Sequence, residues 1–209
     1  MSLALRDLLG VPDAFAGIEM PGRTDPVILD DALRRGGHRS DEAFTREFHD
    51  RYLEHLSREI HTSAPGKFKG VLPGVRELLD VLAARDDLFL ALLTGNYQAA
   101  ARLKLEHFDL WRYFRCGAFG EDARERNHLV PVAVERSRSC GLPALPPERV
   151  IVIGDTPLDV ACARAAGAKA IAVATGGIDA STLRASGADV VFEDLGDTEA
   201  VVRAIDARD

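Results

Sequence analysis

Residues 150–159 read VIVIGDTPLD, a run of aliphatic side chains that ends in two carboxylates four positions apart. Four consecutive β-branched residues are typical of a strand covered on both faces, as in a parallel sheet. Gly154 permits a sharp turn after the strand, and Pro157 suits the first turn of a helix. The stretch therefore predicts a strand, a turn and a helix, with Asp155 at the carboxyl end of the strand and Asp159 one turn inside the helix.

Asp155 and Asp159 should lie at the edge where open α/β sheets bind their ligands. Two neighbouring carboxylates repel each other unless a positive charge lies between them, and a hard divalent cation is the usual partner of carboxylate oxygens. The pair therefore predicts a metal site. The alternative, which these two residues alone leave open, is that Asp155 caps the helix and Asp159 faces solvent.

The composition excludes several classes of function. Of the 209 residues, 46% are hydrophobic and 28% charged, as in ordinary globular proteins. The net charge of −7 argues against a nucleic-acid-binding surface. No apolar run approaches the ~20 residues of a membrane span, and the N terminus lacks the features of a signal peptide. Three scattered cysteines, Cys116, Cys140 and Cys162, fit a reducing compartment and neither a zinc site nor a disulfide framework. We therefore expect a cytoplasmic protein without nucleic-acid or membrane partners.

The pattern of the chain changes near residue 70. Before it the pattern is helical only, with a short helix predicted from Asp25 to a break at residues 34–37. A longer helix, capped by Ser40, is predicted by an apolar stripe that recurs every four residues: Phe44, Phe48, Tyr52, Leu56 and Ile60. Residues 64–74, rich in Gly, Pro and Lys, read as a linker.

After Gly74, helical and strand patterns alternate. The strands are predicted in LFLALLTGN (88–96), near 116–119, in VIVIGD (150–155), in AIAVATGG (170–177) and in ADVVF (188–192). Strands separated by helices indicate a doubly wound parallel sheet of the Rossmann-like kind. The sequence therefore predicts a small all-helical cap domain over residues 1–69 and an α/β core over residues 70–209.

A second strand tip carries polar groups. LFLALLTGN ends in Thr94, and the N–H groups of Gly95 and Asn96 open towards the next helix, an arrangement that suits a phosphate oxygen. The alternative is that Thr94 is only a helix cap and Gly95 only a turn. Further along, Arg124 and Arg126 precede a helix, where a guanidinium group can bind a phosphate or a carboxylate. The alternative for each arginine is an ordinary solvated surface residue. An anion site beside a cation site suggests phosphoryl transfer.

The order of these elements resembles the haloacid dehalogenase superfamily, and most of all its phosphoglycolate-phosphatase-type members with a helical cap. The resemblance spans essentially the whole chain and includes the PGxxELLxxL pattern of residues 73–82. It implies a phosphatase that uses magnesium (Mg²⁺) and acts on a small phosphorylated metabolite.

Site residues follow from the same resemblance. Thr94 matches the second motif, which binds the transferred phosphoryl group together with Gly95 and Asn96. Arg126, with Arg124 as the fallback, matches the third motif. Asp155 matches the magnesium ligand of the fourth motif, and Asp159 matches its partner.

The cap loop that should face the core is PGRTDP, residues 21–26. Arg23 in this loop is a candidate contact for a substrate anion. The alternative is an ordinary surface arginine beside a turn.

The resemblance also implies a motif that this sequence does not contain. The family's first motif is a buried strand ending in Asp-x-Asp, whose first aspartate attacks phosphorus and whose second acts as acid and base. No Asp-x-Asp occurs in the 209 residues, and in family order it would precede residue 1. VVFEDLGDT, residues 190–198, lies at the wrong end of the chain and is predicted to be an edge strand followed by a helix.

We therefore expect a fragment, or a protein that has lost its nucleophile, and no phosphatase activity in this form. The sheet should contain an open place that a second copy of the chain or a rearranged segment fills. Two other functions remain open at this stage. One is a dehalogenase of the same fold, which needs no metal and fits the two acids less well. The other is a non-catalytic domain that binds phosphate and metal, which the missing motif favours.

Overall fold

The structure, a computed structural model, describes residues 1–62, apart from the side chain of Thr62, and residues 70–207. Most of the linker expected at residues 64–74, and the expected boundary between residues 69 and 70, therefore lie outside the described residues. The α-helices are α1 (Ser2–Leu9), α2 (Asp25–Arg35), α3 (Glu42–Thr62), α4 (Val75–Ala83), α5 (Gln98–His107), α6 (Leu129–Ser139), α7 (Pro157–Ala165), α8 (Ala180–Ala185) and α9 (Thr198–Asp206).

The strands pair in parallel but form two separate sheets. The strands are β1 (Ala91–Leu93), β2 (Cys116–Ala118), β3 (Ile151–Gly154), β4 (Lys169–Val173) and β5 (Val190–Phe192). β1 pairs with β2, and the second sheet has the order β3-β4-β5. In the described part of the chain, no strand pairs with the outer edge of β3 or joins the two sheets.

Helices cover the three-stranded sheet on both faces. Val191 of β5 packs in one apolar cluster with Val160 of α7, and the next residue, Phe192, packs in another with Leu78 of α4 and Val201 of α9. Because successive side chains of a strand point to opposite faces, the two clusters lie on opposite sides of the sheet. The predicted doubly wound α/β architecture is confirmed.

The two sheets share a layer of helices. Leu93 of β1 packs against the cluster that contains Val130 of α6 and Val152 of β3. Parallel sheets bind ligands beyond the carboxyl ends of their strands. The shared layer therefore places the tips of β1 and β3, which carry Thr94 and Asp155, in one region of the surface.

The N-terminal helices pack against the helix that follows β1. Leu5 of α1, Leu29 of α2 and Phe48 of α3 are at most 2% exposed and form one apolar cluster with Tyr97 and Ala100 at the start of α5. The predicted apolar stripe of α3 is thus a packing face. Because α5 starts directly after residues 94–96, this cluster also anchors the polar tip of β1.

Two details of the prediction were wrong. The α3 helix begins at Glu42, and its capping side chain is Asp41, whose Oδ1 accepts the N–H of Phe44 at 2.8 Å, so Ser40 is not the cap. Serine and aspartate are equally good caps, and the sequence offers them in adjacent positions. The strand predicted over residues 88–96 is shorter, since only Ala91–Leu93 pair with β2.

The strand VVF near the C terminus is β5, which among the described residues pairs only with β4 and is followed by α9. The predicted edge strand followed by a helix is thus confirmed, and Leu195 after the strand lines the cleft next to Asp155. No helix in the described part of the chain has the length and apolar character needed to cross a membrane.

Candidate active site

The turn between β3 and α7 is held by a closed set of hydrogen bonds around Asp159. Its Oδ2 accepts the N–H of Asp155 at 3.1 Å and both the N–H and the hydroxyl of Thr156, at 3.0 and 2.8 Å. Thr156 in turn accepts the N–H of Asp159, which completes a capping box. The cap of α7 is therefore Thr156, and Asp159 is 5% exposed, so the alternative of a capping Asp155 and a solvated Asp159 is wrong.

Arg126 binds the other oxygen of Asp159. Its Nη2 and Nε lie 2.5 and 3.0 Å from Asp159 Oδ1, and the two side chains are 12% and 7% exposed. Cys162 of α7 contacts the Arg126 carbonyl oxygen at 3.0 Å. In contrast, the guanidinium group of Arg124 is 68% exposed and pairs with Asp30 at 2.6 Å. The structure thus brings Arg126, and not Arg124, to the tip of β3.

Arg126 also reaches the tip of β1. A Cβ atom on Gly95 would lie 3.1 Å from Arg126 Nη1 and 2.2 Å from the carbonyl oxygen of Arg23. Thr94 is half-buried beside this glycine, and its Oγ1 accepts the N–H of Asn96 at 3.2 Å. The guanidinium group of Arg126 therefore links the two strand tips that were predicted to bind an anion and a cation.

A buried polar network lies behind the Thr94 turn, and sequence analysis did not identify it. Asp25, which is 4% exposed, accepts the N–H of Tyr97 at 3.0 Å and the side-chain amide of Asn96 at 3.3 Å. The N–H of Asp25 donates to the carbonyl of Gly95 at 2.7 Å, and Lys104 Nζ donates to Asn96 Oδ1 at 2.9 Å. Burial raises the pKa of the Asp25 carboxyl and lowers the pKa of the Lys104 ammonium group.

This network determines what Asn96 can do. The side-chain nitrogen of Asn96 donates to Asp25, and its side-chain oxygen accepts from Lys104. The side chain therefore faces the interior. The backbone N–H of Asn96 already donates to Thr94 Oγ1, so the predicted contribution of Asn96 to a phosphate site stays a prediction. The only signal in the sequence was an acidic residue at the start of a predicted helix, which is ordinarily a solvated position.

The cap loop meets the core through its backbone. The carbonyl of Arg23 lies against Gly95, and Thr24 beside it is 2% exposed. The guanidinium group of Arg23 is used elsewhere, since Nη2 lies 2.5 Å from Asp31 and Nη1 donates to the carbonyl of Glu19 at 2.9 Å. The loop therefore faces the core as predicted, whereas the Arg23 side chain is held by Asp31.

Asp155 lies in a partly enclosed position at the tip of β3. Burial first, and the neighbouring Asp159 second, raise the pKa of its carboxyl group. A Cβ atom on Gly176 would lie 1.9 Å from Asp155 Oδ2, so this glycine gives the carboxylate its space. A cleft of about 170 Å³ opens beside Asp155 between the ends of β3 and β4 and the segment Leu72–Val75.

The fit of these residues to a magnesium ion is partial. In the described residues, no group of three or more His, Cys, Asp or Glu is arranged so that it could hold a metal ion. Asp155 offers a hard oxygen ligand, and magnesium commonly uses one or two protein carboxylates and keeps several waters. Both oxygens of Asp159 already accept hydrogen bonds, from Arg126 and from the turn. Its predicted place in a metal site stays a prediction, and its observed contacts are those of a group that orients its neighbours.

A family model described as haloacid dehalogenase-like hydrolase matches residues 29–173. The chain belongs to this family. A phosphoglycolate phosphatase from Chromobacterium violaceum is 35% identical over 150 residues, which are 72% of this chain and 60% of that protein. A phosphorylated carbohydrates phosphatase from Thermotoga maritima is 29% identical over 57% of this chain and 55% of its own length. The chain thus spans less than two thirds of the length of these relatives.

Solved structures agree on the fold. The crystal structure of a hydrolase from Pseudomonas syringae matches with a TM-score of 0.67 at 22% identity, covering 97% of this chain and 88% of that one. At this identity the likeness concerns the fold alone. The candidate site is the region where Arg126 lies between Gly95, which follows Thr94, and Asp159, which holds the turn with Asp155.

Proposed function

We propose that the chain carries the phosphate-binding and magnesium-binding residues of a phosphomonoester hydrolase that acts on a small phosphorylated metabolite. The observation that carries the proposal is the position of Arg126, whose guanidinium group lies next to Gly95 at one strand tip and binds Asp159 at the other. The guanidinium group of Arg126 thus lies between the turn after β1, which we propose binds an anion, and the acidic turn after β3. Such a pairing suits a phosphate group held next to a metal ion.

Each residue has a distinct part in the proposed site. The hydroxyl of Thr94 and the backbone of Gly95 bind phosphoryl oxygens at the start of α5. Arg126 balances the negative charge of the phosphate, and Asp159 fixes its guanidinium plane. Asp155 holds the magnesium ion, which when bound supplies positive charge to the phosphoryl oxygens.

The attacking group of the reaction would be the first aspartate of an Asp-x-Asp motif, and the sequence contains no such motif. We propose that the 209-residue chain binds phosphate esters without hydrolysing them. We also propose that one more strand, carrying a carboxylate at its end, pairs with the open edge of β3 and completes the site. Support comes from the two separate sheets in the described residues. An open strand edge exposes donors and acceptors that another strand can pair with.

The substrate class rests on the relatives. The names of the Chromobacterium violaceum and Thermotoga maritima proteins specify phosphoglycolate and phosphorylated carbohydrates, both small phosphate monoesters. We propose a substrate of this size. We propose that the Arg23 side chain binds an anionic group of the substrate distant from the phosphate. It does so only after it separates from Asp31, whose Oδ2 lies 2.5 Å from Arg23 Nη2.

A turnover assay tests the proposal. The chain is assayed with generic phosphate monoesters and magnesium, beside a version with a hydrophobic strand ending in Asp-x-Asp fused before residue 1. We expect no turnover by the chain itself and measurable turnover by the fusion, which Asp155→Asn removes. Turnover by the unfused chain that Asp155→Asn abolishes would show that another residue is the nucleophile. Such turnover would contradict the proposed incomplete site.

The missing Asp-x-Asp also supports a second candidate, a non-catalytic domain that binds phosphate and metal. The same pair of proteins separates the two functions. A fusion that folds and binds inorganic phosphate as the chain does, yet hydrolyses no ester, would favour the binding domain.

A further inference from the structure

Two of the three cysteines, far apart in the sequence, lie side by side in the fold. Cys116 is the first residue of β2, and Cys140 follows the last residue of α6. Cys116 Sγ lies 3.2 Å from Ser137 Oγ in the last turn of α6, and Cys140 Sγ lies 3.9 Å from the carbonyl oxygen of Arg115. Both thiol groups therefore lie where the start of β2 meets the end of α6.

The surroundings of Cys116 and Cys140 differ from those of Cys162. Cys116 and Cys140 are free thiols that are partly exposed, so a small reagent can reach them. Cys162 of α7 is 0% exposed and contacts the carbonyl oxygen of Arg126. Because α6 packs along β2, the proximity of the first two cysteines is maintained by the fold.

We propose that Cys116 and Cys140 form a reversible disulfide bond when the protein meets a small disulfide oxidant such as oxidised glutathione. The thiolate of Cys140 attacks one sulfur of the oxidant and releases one glutathione thiolate. The thiolate of Cys116 then attacks the sulfur of Cys140, forms the protein disulfide and releases the second glutathione. Two protein thiols are oxidised, one external disulfide is reduced, and the two protons pass to the two glutathione thiolates.

The order of attack follows from the surroundings of Cys116. Burial raises the pKa of its thiol, which makes Cys116 the poorer first nucleophile. The same group is well placed for the second step, since Cys140 Sγ lies against the carbonyl oxygen of Arg115, the residue next to Cys116.

The bond would enclose the segment that carries Arg126. Residues 117–139 lie within the covalent ring and contain the turn after β2 and all of α6. Inside the ring, Arg136 already binds Asp122 at 2.5 Å and the carbonyl of Gly117 at 2.9 Å, so the native geometry is held before oxidation. Closing a loop of this length restricts mainly the unfolded chain and should therefore raise the stability of the folded one.

The test uses the reduced full-length chain incubated with excess oxidised glutathione. Thiols counted after denaturation should fall from three to one, and intact mass should show the loss of two hydrogen atoms without a glutathione adduct. Peptide mapping should join the peptides containing Cys116 and Cys140. The midpoint of thermal unfolding should rise by about 5 °C or more and return after reduction.

Variants decide which sulfurs react. Cys116→Ser and Cys140→Ser should each prevent the internal bond and the rise in midpoint, whereas Cys162→Ser should retain both. A stable glutathione adduct as the main product of the unmodified chain would overturn the proposal. A bond that involves Cys162, or three thiols that persist, would overturn it as well.

Discussion

Arg126 and Asp159 form an ion pair that is almost completely removed from solvent, with Nη2 and Oδ1 2.5 Å apart. The second oxygen of the Asp159 carboxylate accepts hydrogen bonds from the turn that carries Asp155. One buried pair therefore fixes both the guanidinium group proposed to bind phosphate and the turn proposed to bind the metal.

Asp159→Ala should destabilise the chain by about 3–5 kcal/mol, because it leaves the buried guanidinium group of Arg126 without a partner and opens the turn. Urea unfolding measures the change. Asp30→Ala is the matched control, since its partner Arg124 is 68% exposed and such a pair contributes less than about 1 kcal/mol. Equal losses in the two variants would contradict the assigned role of Asp159.

Asp25→Asn should weaken binding of inorganic phosphate several-fold and cost about 1–3 kcal/mol of stability. The asparagine side chain would keep one acceptor oxygen for two donors, the backbone N–H of Tyr97 and the side-chain amide of Asn96. It would also lack the negative charge that faces Lys104. Calorimetric titration with phosphate and urea unfolding give the two quantities. Asp30→Asn, on the same helix, should leave phosphate affinity unchanged. Phosphate affinity that stays at the wild-type level in Asp25→Asn would show that the network does not shape the Thr94 turn.

The raised pKa of Asp155 predicts a specific pH dependence. An acid with a raised pKa in the folded state binds its proton more tightly there than in the unfolded chain. Stability therefore falls as pH rises from the ordinary value of 3.8 through the raised folded value. Asp155→Asn should remove this contribution, so the variant should gain stability over the wild type as pH rises from 3.8 through the raised folded value. A stability difference that does not change with pH in unfolding experiments would argue against an ionised, partly buried Asp155.

Gly176→Ala should abolish the stabilisation that magnesium gives, since a Cβ atom there would lie 1.9 Å from Asp155 Oδ2. Thermal unfolding with and without magnesium measures this. Gly177→Ala is the control: its φ of +90° makes any side chain strained, but nothing lies within 4 Å of the added atom. Both variants should lose stability, and only Gly176→Ala should lose the response to magnesium. A normal response in Gly176→Ala would remove Asp155 from the proposed metal site.

The sequence was informative wherever a pattern is local. The order of helices and strands and the carboxyl-end positions of Thr94 and Asp155 follow from periodicity and from turn residues that lie within a few positions of each other. Contacts between distant residues were not accessible. Nothing local indicates that Asp25 would accept a hydrogen bond from Tyr97, or that Cys116 would lie near the end of the helix that precedes Cys140.

Asp159 shows where the limit lies. Its spacing from Asp155 predicted a positive charge between the two carboxylates, supplied by a divalent metal ion. The sequence alone does not distinguish a metal ion from a guanidinium group as that charge. In the described structure the charge that contacts Asp159 is that of Arg126, which comes from a different segment of the chain.

The central claim is that Thr94, Arg126 and Asp155 form one site for phosphate and magnesium together. Calorimetric titration of the chain with inorganic phosphate, with and without saturating magnesium, tests it most directly, because two ligands in one site must affect each other's affinity reciprocally. We predict that magnesium tightens phosphate binding at least several-fold, that Asp155→Asn removes this effect, and that Arg126→Met weakens phosphate binding with or without the metal. Phosphate affinity that is the same with and without magnesium in the unmodified chain would contradict the claim.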